Sequence, residues 1–218
     1  MFIPTRPVDR PLDTTRSVVS ATLSAGHVGV ETSLTLARCI PGPRSLADRT
    51  CSRPTSLTIT IAAAAATART GLAAFDRALV TVGAENRNLI RLSSVIPTGA
   101  VVVHSPARDR GEWGDRLYVV YAEQRANVPG EQAWAGVGWV QDQRTGAGLF
   151  VEHEGGGETQ VRDLITASLE ELQASRNIDF GPPQMVVTGV RCDNDPACAL
   201  VLAAFGSQSW NDLTPADS

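Results

Sequence analysis

Apolar and polar positions change their spacing along this chain, and the changes mark out its elements. Residues 56–66 alternate threonine with leucine and isoleucine before running into alanines, the period of a strand. From Thr70 the period lengthens. Thr70 suits an N-cap and Gly83 a C-terminal stop, so the spacing between them predicts a helix over 71–82. Leu72, Asp76 and Leu79 recur at i, i+4 and i+7 with Phe75 beside them, which puts a carboxylate inside an apolar stripe. Such a carboxylate needs a cation; Arg87 and Arg91 are the internal candidates. Short runs bounded by Gly, Pro, Asp and Asn predict strands near 87–94, 99–104, 116–125, 132–142 and 147–154. Residues 157–176 read as an amphipathic helix with Val161, Leu164, Ile165, Leu169 and Leu172 inward, and two last strands fit 184–192 and 197–205. Many strands divided by two helices predict an α+β layered sandwich with an antiparallel sheet.

The flanks read differently. Residues 1–55 hold six prolines and many Ser, Thr and Arg without a sustained period, and are expected to form a poorly ordered N-terminal extension. The compact domain is placed at 56–210, and the polar tail, 211–218, is expected to fray. No internal repeat is present. Gly155-Gly-Gly157 precedes a helix and is weak evidence for anion binding.

Composition narrows the function. The 218 residues are 43% hydrophobic and 19% charged with a net charge of −4, which suits a soluble globular protein. No basic block points to nucleic acid or to an anionic membrane. No apolar run approaches the roughly 20 residues of a membrane span, and the N-terminal residues lack the apolar core of a secretory signal. A cytoplasmic location is expected. All 19 basic residues are arginine, so a lysine Schiff base with pyridoxal phosphate is not available; a GC-rich genome accounts for the missing lysine. Cys39, Cys51, Cys192 and Cys198 match no paired zinc motif. Cys192 and Cys198 flank an Asp-Asn-Asp-Pro turn and are either reduced packing thiols or partners across a hairpin. His27, His104 and His153 are too scattered to nominate a metal site. No Gly-x-Ser-x-Gly elbow surrounds a serine, which argues against a serine hydrolase.

The chemistry concentrates in Asn88-Leu-Ile-Arg-Leu-Ser-Ser-Val-Ile-Pro97. Two serines, Ser93 and Ser94, stand where an apolar strand ends and a Pro-Thr-Gly turn begins. Two readings are open: ordinary turn chemistry, or a backbone held so that one hydroxyl reaches the neighbouring carbonyl.

Together with Thr70-Gly-Leu-Ala-Ala-Phe-Asp-Arg-Ala-Leu79, Pro129-Gly-Glu131 and Gly148-Leu-Phe-Val-Glu-His-Glu-Gly155, in this order, that run resembles the pyruvoyl-dependent arginine decarboxylases over about 150 residues from Leu57 onward. The resemblance implies a four-layer αββα sandwich with antiparallel sheets, cleaved by itself between Ser93 and Ser94 into a β chain and an α chain. It implies a covalent pyruvoyl group derived from Ser94, with neither pyridoxal phosphate nor a metal, and a lyase that turns arginine into agmatine and carbon dioxide. Asn88 is carried over as a polar group near the cleavage site and Glu152 as proton donor. In a strand, Phe150, Glu152 and Glu154 share one side, a setting that suits a donor near neutral pH. The competing reading of Glu152 and Glu154 is a solvated strand edge. Asp76 is expected to take the guanidinium by charge-assisted hydrogen bonds, with Leu72 and Leu79 along the aliphatic stem. The resemblance further implies a homo-oligomer, a trimer or a dimer of trimers, with sites between protomers. Two departures stand out: Ala62–Ala66 replaces the family's glycines, which leaves a different local path or a helical one open, and Glu85 stands where some members have glycine. The alternatives are an uncut, catalytically silent binding or scaffold homologue and a decarboxylase of another cationic amino acid.

Overall fold

The computed structural model describes residues 56–107 and 111–213. These belong to the second of the two units into which the chain divides, Cys51–Ser218. The expected extension (1–55), with His27, Cys39 and Cys51, and the end of the tail lie outside the described residues. Among the described residues nine strands and two α-helices run in the order β1 (Thr58–Thr67), α1 (Gly71–Val82), β2 (Asn88–Arg91), β3 (Val95–Ile96), β4 (Val101–His104), β5 (Arg116–Ala126), β6 (Gln132–Gln141), β7 (Gly148–Gly155), α2 (Glu158–Ala174), β8 (Gln184–Arg191) and β9 (Ala197–Gln208). They build a five-stranded sheet, β2-β5-β9-β1-β4, and a four-stranded sheet, β3-β7-β6-β8.

The expected α+β class holds, with a correction to the sheets. The four-stranded sheet is antiparallel throughout. The five-stranded sheet is mixed, because its edge strands β4 and β2 run parallel to β1 and β5. The β1–β4 link is a long crossover through α1 rather than a hairpin, which is what parallel neighbours require. Ala62–Ala66 stays in β1, paired with β9 from Ala62↔Leu202 to Ala66↔Cys198. Alanine's helix preference is overridden there by ladder bonds and burial.

Three larger apolar clusters and a small one around Ala68, Ala74 and Cys198 hold the described residues together. Ile59 and Ile61 of β1, Val120 of β5, Val201 of β9, Val137 of β6 and Phe150 of β7 join in one that draws on both sheets. The opposite face of the five-stranded sheet, including Ala62, Ala64, Leu200 and Leu202, packs on Ala78 and Val82 of α1. Val140, Leu149 and Val151 of the four-stranded sheet pack on Val161, Ile165 and Leu169 of α2.

Helix α1 starts and stops as its sequence dictates. Thr70 Oγ1 accepts the Ala73 N–H at 3.1 Å. Gly83 sits at φ 74°, and the bonds Gly83 N–H to Val80 O and Ala84 N–H to Leu79 O form a Schellman ending. Its inward face differs from the expected one. Ala74, Ala78 and Val82 are buried, with Phe75 and Leu79 packed at the margin, whereas Leu72 and Asp76 face outward. Small alanines let α1 approach the alanine-rich face of β1, and this rotation keeps an unpaired carboxylate out of the core.

Helix α2 lies equally close to its sheet. A Cβ on Gly138 of β6 would overlap Ile165 Cγ2 and lie 3.2 Å from Leu169 Cδ1. Ile165 is β-branched and stiff at χ1, so Gly138→Ala is expected to lower stability by about 1–3 kcal/mol and Tm by roughly 2–10 °C, measured by calorimetry.

The two described cysteines are not partners. Cys192 belongs to the cluster drawing on both sheets, and Cys198 lies on the α1 side beside Ala74. Burial, with the Glu123 carboxylate adding to it, pushes the Cys198 thiol up to about 12. At the C-terminal side, Trp210–Leu213 form a 3-10 turn in which Asp212 accepts the Ser209 N–H at 3.1 Å. The tail thus keeps one ordered turn. Among the described residues no helix is long and apolar enough to cross a membrane.

Candidate active site

The double serine is the point at which the chain leaves one sheet for the other. Leu92 still bonds to the five-stranded sheet through its N–H on Val119 O, 2.9 Å. Two residues later, Ser94 O accepts the Phe150 N–H of the four-stranded sheet, 2.8 Å, and Val95 opposes Leu149. The Ser93–Ser94 peptide therefore spans two anchored ends. Ser94 makes the bend with φ +65°, a left-handed conformation uncommon for a residue with a side chain.

The turn that follows fixes the far end of β3. Ala100 N–H donates to Pro97 O at 3.1 Å, and Gly99, at φ 79°, donates to Thr145 O at 2.8 Å. Gln141 Nε2 donates to Ala100 O and to Gly146 O, joining this turn to the β6–β7 loop. That loop is itself knotted on Asp142, whose carboxyl is held below the usual carboxylate range by the Arg144 N–H and then the Thr145 hydroxyl. A hollow of about 450 Å³ beside Asp142 is thus lined in part by a carboxylate that is already satisfied.

The bend brings Ser94 to β7. Its hydroxyl donates to Oε1 of Glu152. The alternation expected for β7 holds. Phe150 points into the cluster shared by the two sheets, with ring centroids 6.2 Å from Trp139 and 6.0 Å from Phe205. Val151 points instead toward α2, and His153 Nε2 lies 2.8 Å from Ser168 Oγ of that helix. A groove of about 530 Å³ opens beside Ser94, between residues 150–153 of β7 and Ser168, Glu171 and Leu172 of α2. The helix wall, with Ser168 and Glu171, has no signal in the motifs. Only the facing of the two amphipathic elements reveals it.

Other candidates lie apart from this centre within the chain. Asn88 begins β2, six residues before Ser94, and its Nδ2 donates to Gly114 O at 2.6 Å. Asp76 and Leu72 are on the solvent side of α1, and α1 packs on the other sheet. Asp76 forms no ion pair among the described residues. Arg91 instead stacks on Tyr121, 4.7 Å from the ring centroid, and donates to Tyr121 O, while Arg87 donates to Gly83 O. Glu85 is half-buried after α1, with Oε2 unpartnered among the described residues.

A bent, anchored Ser-Ser peptide with one hydroxyl on a carboxylate can rearrange its own backbone, and the groove alongside can admit a small molecule. Known proteins resemble this chain in sequence. The profile of the family described as Pyruvoyl-dependent arginine decarboxylase (PvlArgDC) matches residues 58–210. A pyruvoyl-dependent arginine decarboxylase of Halobacterium salinarum is 40% identical over 156 residues, 68% of this chain and 93% of that protein. Proteins of the same description from Thermococcus kodakarensis and Methanocaldococcus jannaschii are 27% and 33% identical, over 66% and 52% of this chain and 92% and 70% of theirs.

Proposed function

The chain belongs to the pyruvoyl-dependent arginine decarboxylase family, and on that premise we propose that it is a self-processing carboxy-lyase converting L-arginine to agmatine and carbon dioxide. The observation that carries this reading is the Ser94 hydroxyl set on the Glu152 carboxylate at a backbone bend anchored on both sides.

These residues fit a pyruvoyl group made in place. The left-handed Ser94 stores strain on the order of 1–3 kcal/mol, which breaking the peptide releases. Ser94 Oγ attacks the Ser93 carbonyl carbon and the peptide C–N bond breaks, leaving an ester and a free amine. Loss of the residue-94 Cα proton expels the Ser93 carboxylate, which keeps Oγ, and leaves dehydroalanine. Tautomerisation and attack by water release ammonia. Residues through Ser93 become a β chain and those from residue 94 an α chain.

The ketone then supplies an electrophile for the substrate amine and an electron sink as carbon dioxide leaves. Glu152 holds a proton at its carboxyl and returns it to the substrate α carbon. Phe150, packed between Trp139 and Phe205, keeps water from the floor of the groove.

We assign the guanidinium to Asp76 and the aliphatic stem to Leu72 and Leu79, reaching Ser94 from a second protomer. The exposure of α1 supports this. Leu72 is 67% and Val80 53% exposed, one turn to either side of Asp76, an apolar stripe around a carboxylate that a solitary chain leaves in water. A trimer, or a dimer of trimers, completes such a site, and Asn88 is assigned to it as a polar group serving the cleavage site. The three larger apolar clusters support a four-layer αββα sandwich.

Asp76→Ala is expected to leave cleavage intact and to lower kcat/KM for arginine at least roughly 30-fold, the lower end for a desolvated charge pair. Carbon dioxide release from arginine, ornithine, lysine and aspartate measures it. Unchanged arginine turnover, or a preference for aspartate, would remove the assignment.

A further inference from the structure

We propose that His153 is a positioning residue for Glu152, acting through its hydrogen bond to Ser168 to fix the open edge of β7 once Ser94 has lost its hydroxyl. The inference rests on the reading of Glu152 as proton donor.

In the uncut chain Glu152 is restrained twice. Ser94 Oγ–H donates to its carboxylate, and β6 pairs along the inner side of β7, with Val137 opposite Glu152. Among the described residues the outer side is nearly bare. Strand β3 opposes only Gly148 and Leu149, and the last backbone bond there is Phe150 N–H on Ser94 O. Backbone groups of successive residues point to opposite sides of a strand. The N–H and C=O of Glu152, two residues beyond Phe150, therefore face the bare edge.

Self-cleavage by the route above changes this balance. Oγ departs with the Ser93 carboxylate, so the hydrogen bond that held Glu152 is gone before the first turnover. What stays is the clamp of β7 on α2. Val151 is buried against Val161, Ile165 and Leu169, and His153, next on the same face, meets Ser168 at 2.8 Å. Glu152 lies between these two anchors and projects from the opposite face. His153 and Ser168 also line the groove that opens at Ser94. Losing this bond frees a backbone that has one pairing strand, and a misplacement of about 1 Å in a reacting group costs on the order of 100-fold.

Kinetics and hydrogen exchange test the proposal together. In cleaved protein, His153→Ala and Ser168→Ala each lower kcat for arginine roughly 10–100-fold, with KM within about twofold. His153→Gln, whose amide can reach Ser168, recovers kcat to within about threefold. Exchange is read without turnover in uncut Ser94→Ala protein, which lacks Oγ as the working enzyme does. Adding His153→Ala there speeds exchange of the residue-151 and residue-153 amides, which point to β6, and leaves those of β9 unchanged, a measurement that also decides the matter where His153→Ala prevents cleavage. An undiminished kcat in His153→Ala, equal loss in His153→Gln, or unaltered exchange at 151 and 153 overturns the proposal. Lost turnover in Glu152→Gln beside normal turnover in His153→Ala overturns it alone. Normal turnover in Glu152→Gln overturns the donor reading beneath it.

Discussion

Glu152→Gln protein is expected to cut itself as the parent does and yet to turn over arginine roughly 10²–10⁴-fold more slowly, the usual contribution of a positioned general acid. The geometry separates the two effects. The amide oxygen of glutamine can still accept the Ser94 hydroxyl where Oε1 does now, so the bend and the hold on Oγ are kept. The amide has no acidic proton to return to the substrate carbon. Because that proton moves only after carbon dioxide has left, the loss should fall on kcat with little change in KM. Mass analysis of the purified variant reads cleavage, and labelled carbon dioxide release reads turnover. Normal turnover would dismiss Glu152 as donor.

Ser94→Ala has the largest effect of all. It removes Oγ and nothing else, so neither the acyl shift nor the later elimination has an oxygen to use. The expected product is one uncut chain without measurable decarboxylation and with native circular dichroism. The Phe150 N–H bond to the residue-94 carbonyl and the β3–β7 pairing do not involve the hydroxyl. Cleavage in this variant would mean that another nucleophile opens the chain.

How much of this was legible in the sequence depends on whether the signal is local. Helix α1 was readable at both ends because Thr70 and Gly83 act on neighbouring backbone groups. The alternation of Phe150, Val151, Glu152 and His153 was readable because a strand's period is fixed by its geometry. The rotation of α1 was not: Leu72, Asp76 and Leu79 make as good a stripe on paper as Ala74, Ala78 and Val82. The alanine-rich face of β1, adjacent only in space, decides between them. The same holds for the double serine. The residues announce a strand end and a turn, but the passage from one sheet to the other depends on β5 and β7, which lie far along the chain. The His153–Ser168 contact, fifteen residues apart, depends on α2 folding back over β7.

Intact-mass analysis of freshly purified wild-type protein under denaturing conditions, with and without phenylhydrazine, puts the central claim to its most direct test. Two fragments that join between residues 93 and 94 are predicted, the second short of one ammonia and carrying a hydrazone after treatment. A single full-length mass that takes up no hydrazine would contradict it.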